Sequence, residues 1–416
     1  MWRDWAGWSS WRYGTAGREI RRAVREAVRN VQEGVGPSMR EALRELRREF
    51  RSREGRLSSA RFVRDLLGQA SAGKETTLTH PVPAGGRLLI RNPHGDVRIG
   101  RSPDADVHVR ARKQTWARDE GAAREALGRV RISLAPAGPD VALVVEPAAW
   151  EPWRSRFRVD LDVDLPAEVP VSMTVMRGDI EVREHSSDVE AAIRRGDFDI
   201  AAPVRDVRAD LKSGRVTVGQ ARSCTLRVMH GDVRIGSVAG GADVYVASGS
   251  VRVDTAGGDL HAEVVHGDLR VGQATAAHVR LVHGDASVGS AAGDVDARVH
   301  SGNLEVGIAG AHSAVMRVTS GNATVRVARV AAGGRVSTEV ASGNITVGVS
   351  PEVRAAVVGE ARSGRVDCDL LLQDAVRSHN RVRGVHGAAD ATIAFSTMSG
   401  NVCLTTQAAS PAGAAG

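Results

Sequence analysis

Residues 230–236 read H-G-D-V-R-I-G, residues 248–253 S-G-S-V-R-V, residues 266–272 H-G-D-L-R-V-G and residues 283–289 H-G-D-A-S-V-G. The same pattern precedes them at Gly178, Gly196 and Gly214 and follows them at Gly302 and Gly321, always at a spacing of 17 to 19 residues. Looser copies stand at Gly343, Gly364 and Gly400, Gly384 reads as a degenerate copy, and Gly95 heads a separated early one. A unit of about 18 residues is too short to bury an apolar face alone, so a fixed period of this length predicts a stack of units, a solenoid.

After each glycine comes one polar residue, then apolar, polar, apolar, which is the alternation of a strand with one buried face. A second alternating run lies between these, as in Leu226 and Val228 or Val244 and Val246. A further glycine often follows five positions after the first, at Gly219, Gly236, Gly272, Gly289, Gly307 and Gly348. Each turn is therefore expected to carry two short strands and two glycine-marked corners, the glycines supplying positive φ or a tight bend. The fold class is mainly β, a parallel β-solenoid with about 18-residue rungs, preceded by an N-terminal helical segment. At ordinary strand spacing twelve or so rungs give a rod about 60 Å long.

Composition agrees with a narrow core. Of 416 residues, 46 are Gly and 3% are aromatic, and Phe198, Tyr245 and Phe395 are the aromatics between Leu165 and Leu404. The charge is lopsided: residues 1–70 hold 16 Arg against 9 acidic residues, whereas the remainder balances 40 against 40. The overall excess of +7 thus belongs to the N-terminal segment, and a basic chain average is no argument for nucleic-acid binding by the rod. No stretch reaches the apolar length of a membrane span, and M-W-R-D-W-A-G-W has no signal-peptide core, so a cytoplasmic location is expected, peripheral at the inner membrane face if the N-terminus docks there. Cys224 and Cys368 fall on inward positions and Cys403 on an outward one; scattered and odd in number, they read as free thiols.

The chain divides by pattern into an Arg/Trp-rich amphipathic segment at 1–74, an irregular β lead-in with one helix at 75–165, solenoid repeats at 166–406 and a disordered tail at 407–416. Apolar stripes at Ile20 to Val31, at Met39 to Phe50 and at Phe62 to Leu67 predict two or three helices in the first segment. In the second, Leu88, Ile90, Val97 and Ile99 alternate as strands, and a helix is expected from about Trp116 to Leu127.

The stretch P-A-G-G-R-L-L-I-R-N-P-H-G-D-V-R-I-G at Pro83–Gly100, the element D-L-P-A-E-V-P at Asp164–Pro170, and the recurrent S-G-N or H-G-D followed by V-x-V resemble the bacterial β-strand-repeat family called the putative adhesin domain of unknown function. The resemblance runs over roughly residues 80–406 and implies a parallel β-solenoid with an envelope- or stress-linked role, and no catalytic residues.

Several residue columns are candidate sites. The position after the corner glycine is Asp96, Asp179, Asp197, Asp232, Asp268 and Asp285, then Asn303, Asn322, Asn344 and Asn401. Repeated carboxylates could share calcium, but Asp and Asn favour such turns by bonding nearby backbone, and that structural reading is preferred. His94, His230, His266 and His283 precede corner glycines, with His266 and His283 expected as neighbours. They are read as exposed corner histidines, and no metal or cofactor is assigned. Arg234, Arg252 and Arg270 are successive outward charges that could hold an acidic partner, with Asp232 and Asp268 as counter-charges. No nucleophile motif, zinc spacing or phosphate loop stands out, so the chain is expected not to be an enzyme.

Trp2, Trp5, Trp8 and Trp11 crowd four of seven Trp into the first eleven residues, beside Arg-rich stripes. Such a segment suits self-association, capping of the first rung or contact with an anionic membrane surface. Protein partners or self-association are expected, an anionic membrane surface could be met through residues 1–70, and neither nucleic acid nor a small-molecule substrate is. The function read from the sequence is a scaffold or interaction solenoid; the alternatives are a bactofilin-like polymerising solenoid and a cell-surface adhesin.

Overall fold

The structure, a computed structural model, describes residues 70–117, 119–147 and 156–406. The helical segment and Trp2, Trp5, Trp8 and Trp11 lie outside these residues, as does the tail; from Ala70 the described chain is strand, Ala70–Pro81.

The repeats form a parallel β-solenoid. One rung is seen in Val233–Val238 followed by Ala242–Ser248; in the next, the two runs fuse into Val251–His266. Successive rungs pair in parallel and in register: Val233 faces Val251, which faces Leu269, which faces Ala286. On the second sheet Ala242, Leu260, Ala277 and Val295 form the matching ladder. All of these are buried, and their alternation with exposed residues is the reason the chain takes this register, since a slip of one residue would turn the whole apolar set outward. The interior admits two fully buried rings, Phe198 and Phe395, whereas Tyr245 stands on the outer face in register with Arg227 and Glu263.

The corner glycines stack directly. Those of the column have φ between +127° and +149°, and a Cβ on Gly231 would lie 1.8 Å from the Gly214 carbonyl oxygen. The second glycines differ from expectation: Gly219, Gly236, Gly272, Gly289, Gly307 and Gly348 are not among the positive-φ residues. What excludes a side chain at Gly307 is the backbone of the rung beneath, whose Gly289 oxygen would be 2.1 Å from its Cβ.

The early copy at Gly95 is the immediate neighbour of Gly178, although 82 residues of chain separate them: a Cβ on Gly178 would meet the Gly95 oxygen at 1.9 Å. Leu88–His94 and Val97–Arg101 pair in parallel with Val171–Arg177 and Ile180–Val182, forming the first rung. The intervening chain makes antiparallel pairs, Asp106–Ala117 with Arg156–Leu165 and Val130–Ala137 with Asp140–Pro147, which cover that end. Its helix is Glu120–Arg129 and not Trp116–Leu127: buried Thr115 and Ala117 prolong the strand alternation through Trp116, and Asp119 sets the start by accepting the Ala122 N–H at 2.8 Å.

At the other end sequence order and spatial order part. Ala391–Ser399 lies between Val330–Ser342 and Ala355–Ser363, parallel to both, so the rung of Gly400 is inserted beneath the rung of Gly364. The hairpin Gln373–Ser378 and Arg381–His386 then packs antiparallel on Ala355–Ser363. Gly384 is no member of the glycine column: it lies in this hairpin opposite Val357, because the chain reverses after the terminal rung.

Candidate functional site

The outer surface consists of columns, each made of one rung position repeated along the stack. Arg234, Arg252 and Arg270 occupy one column in register, as their spacing predicts, and all three are exposed. Their counter-charges are not the expected set. Arg270 does pair with Asp268 at 3.3 Å, but Arg252 pairs with Asp254 at 2.8 Å. Asp232 instead accepts the Ser250 N–H at 2.9 Å, and Arg234 makes no ion pair within 4.0 Å among the described residues. A second arginine column, Arg280, Arg298 and Arg317, stands on the other sheet and escaped the sequence reading. Its signal was the same period applied to the run between glycine motifs. Arg298 pairs there with Asp296 at 2.9 Å and Arg317 with Glu339 at 3.2 Å.

The Asp and Asn after the corner glycines join one rung to the next. The Asp179 carboxylate accepts the Asp197 N–H at 2.8 Å, Asp285 that of Asn303 at 2.8 Å, and Asn344 that of Asn401 at 2.9 Å. This supports the structural reading of the column: the side-chain oxygen is engaged with the backbone. Among the described residues no group of three or more His, Cys, Asp or Glu is already arranged to hold a metal ion.

The histidines sort by environment. His266 and His283 stack as neighbours, ring centroids 5.0 Å apart and planes 3° from parallel. His230 faces Ser248, and His94 lies against Phe157 with its pKa lowered by burial and by the charge of Arg177. A second stack, His261 on His278 at 4.6 Å and 7°, was missed, though their 17-residue spacing is one period. His185 is buried at 4% exposure, and burial pushes its pKa down to about 4 against the opposing pull of the Asp188 backbone and carboxylate. All three cysteines are free; burial raises the Cys224 thiol to about 12.

Two grooves on the described surface are lined largely by charged side chains. One of about 420 Å³ lies at the covered first rung among Arg98, Arg110, Arg112, Asp162, Asp164 and Arg183. Burial there would raise the Asp162 carboxyl, but Arg112 and Arg98 outweigh it and hold the group below the usual range. The other, about 290 Å³, runs over the His261–His278 stack. No helix among the described residues is long and apolar enough to cross a membrane.

Solved structures similar to this chain include a putative cell adhesion protein of Clostridium sporogenes, 10% identical, covering 80% of this chain and 100% of that one with a TM-score of 0.17. A putative adhesin of Bacteroides fragilis is 11% identical over 80% and 97% of the two chains, TM-score 0.20. One of Parabacteroides distasonis is 10% identical over 80% and 97%, TM-score 0.24. No curated protein matches. The model of the Toastrack DUF4097 family matches residues 87–313, more than half of the chain and the whole run from the first rung through the two histidine stacks, and this protein therefore belongs to that family.

Proposed function

We propose that this protein is a non-enzymatic solenoid scaffold that presents its outward columns to a protein partner, working in the cytoplasm in an envelope- or stress-associated setting. The observation that carries this reading is the in-register column Arg234, Arg252 and Arg270, exposed on a face whose backbone is tied from rung to rung. Three guanidinium groups repeated at strand spacing suit an acidic partner with a similar repeat. Residues 1–70 supply the second element, in which Trp2, Trp5, Trp8 and Trp11 beside 16 Arg serve self-association or docking to an anionic membrane.

Antiparallel strands over the terminal rungs favour this reading over a polymerising rod. The outermost hairpin strand, Gln373–Ser378, carries a register shift and Asp374 at φ +49°, features that blunt a sheet edge against pairing with another chain.

Co-sedimentation with anionic and neutral liposomes, with light scattering in lipid-free buffer, tests the role of the N-terminus on the full chain and on one lacking residues 1–69. Pelleting of only the full chain, and only with anionic vesicles, supports membrane docking; an oligomer lost on truncation without lipid binding supports self-association. Identical behaviour of both chains in both assays would overturn this role for residues 1–70.

A further inference from the structure

Arg234, Arg252 and Arg270 are the middle of a longer outward column, which reads Asp199, Thr217, Arg234, Arg252, Arg270, Ser287, Glu305 from rung to rung. The positive stretch is thus bounded on each side by a neutral residue and then a carboxylate. Its flanks are low. On one side stand Gly236, Asp254 and Gly272, stacked between Gly219 and Gly289. On the other stand Asp232, Ser250 and Asp268, where Asp232 and Asp268 accept the N–H groups of Ser250 and Asp285. The exposed arginines are the longest side chains of this strip. Asp254 and Asp268 hold two of them at 2.8 and 3.3 Å, but both pairs are exposed, so exchange for a partner's carboxylate costs little. The other arginine column lacks these features: Glu263 and Glu339 adjoin Arg280 and Arg317 directly, and His278 and Asp296 stand beside it in place of glycine.

We infer that this strip seats an acidic α-helix of a partner protein, lying along the rod axis with one carboxylate per turn against each arginine. The inference rests on the column being a partner surface and adds the partner's conformation, which the spacing selects. Residues i, i+3 and i+7 share a helix face, and the second and third lie about 4.5 and 10.5 Å along the axis from the first. The second and third arginines lie about 4.8 and 9.6 Å from the first, a mismatch of no more than about 1 Å that flexible side chains absorb. An extended segment on the same line repeats its face about every 6.6 Å and overshoots the third arginine by about 3.6 Å. Glycine beside the column leaves room for the helix to approach the backbone closely. Asp199 and Glu305 limit the acidic face to three turns, since a longer one would meet like charge.

Fluorescence anisotropy of labelled alanine-based peptides of about 18 residues, titrated with the full chain at low salt, tests the inference. The first peptide carries Glu at i, i+3 and i+7. The second carries the same three Glu at i, i+2 and i+5, which scatters them around the helix. The third keeps the first spacing with Pro between the Glu residues, which abolishes the helix. The first should bind about tenfold or more tightly than the others, and Arg234→Gln, Arg252→Gln and Arg270→Gln made together should weaken it by a similar factor. Arg298→Gln with Arg317→Gln should leave binding unaltered. All substituted side chains are exposed, so circular dichroism should be the same throughout. Equal binding of all three peptides, lost in the triple variant, overturns the helix but keeps the column as a partner surface. Binding of none, or binding indifferent to the triple change, overturns both. Single-stranded DNA or a sulfated polysaccharide bound through these arginines more tightly than the first peptide would also overturn the inference, assigning the column to a polymeric anion.

Discussion

The backbone N–H of Arg365 donates to Asn401 Oδ1 at 3.0 Å, so a residue 36 positions later in the chain lies one rung beneath it. The bond repeats the link made along the rest of the Asp and Asn column, now in reversed chain order. It marks the place where the last repeat is threaded between two earlier ones. The terminal rung therefore rests on strands that are made after it.

Asn401→Ala removes the acceptor and should lower stability by about 1 kcal/mol, whereas Asn401→Asp, which keeps an oxygen there, should cost less. Urea denaturation of the two variants checks the order. Native-state hydrogen exchange should also show Ala355–Ser363 and Ala391–Ser399 opening together, because each is the other's hydrogen-bonded neighbour.

Gly231→Ala meets two obstacles, a φ of +144° and a Gly214 oxygen 1.8 Å from the new Cβ. A loss of about 3 kcal/mol or more is expected. Gly85→Ala is the control, since φ is +76° there but nothing lies within 4 Å of its Cβ, and about 1–2 kcal/mol should be lost. Thermal melts that rank the two variants the other way would refute the stacked-backbone account of the column.

His185 links stability to pH. Its pKa falls from 6.5 in the unfolded chain to about 4 in the folded one, through burial. Between these values the unfolded chain binds more protons, so stability rises with pH through this window and is lost as pH falls from about 6.5 toward 4. The full loss from this group is about 3 kcal/mol. Chemical denaturation at stepped pH should show this dependence in the natural chain and a flatter curve in His185→Asn.

Burial also separates the cysteines. Cys224 lies in the core with its thiol raised to about 12, while Cys368 and Cys403 are partly exposed near the terminal rung. A maleimide should label Cys403 and Cys368 in the native protein and reach Cys224 only on unfolding, as mass spectrometry of labelled peptides would show.

Substituting Arg252 by Ala should leave the denaturation midpoint within measurement error, because its pair with Asp254 is exposed and solvent-screened. If the arginine column serves a partner, the effect belongs in binding. A large stability loss would instead make the column a structural feature of the rod.

Sequence alone determined the local grammar of this protein. Alternation named the inward residues, the glycine period named the corner at Gly231 and its equivalents, and register of Arg234 with Arg252 and Arg270 followed from spacing. These are properties of one rung and its nearest copy, and they are written in neighbouring residues. Tertiary structure decided what depends on which rung lies next. A period places a residue within its turn but does not say whether Gly400 or Gly364 stacks on Gly343, since both carry the same motif. Nor could it place Gly384, whose strand runs backward, or reveal that Gly307 is needed for its neighbour's backbone and not for its own φ. Side-chain partners were equally hidden: Asp232 and Asp254 both flank the arginine column, and the choice between them turns on ångström-scale directions that only the folded stack supplies.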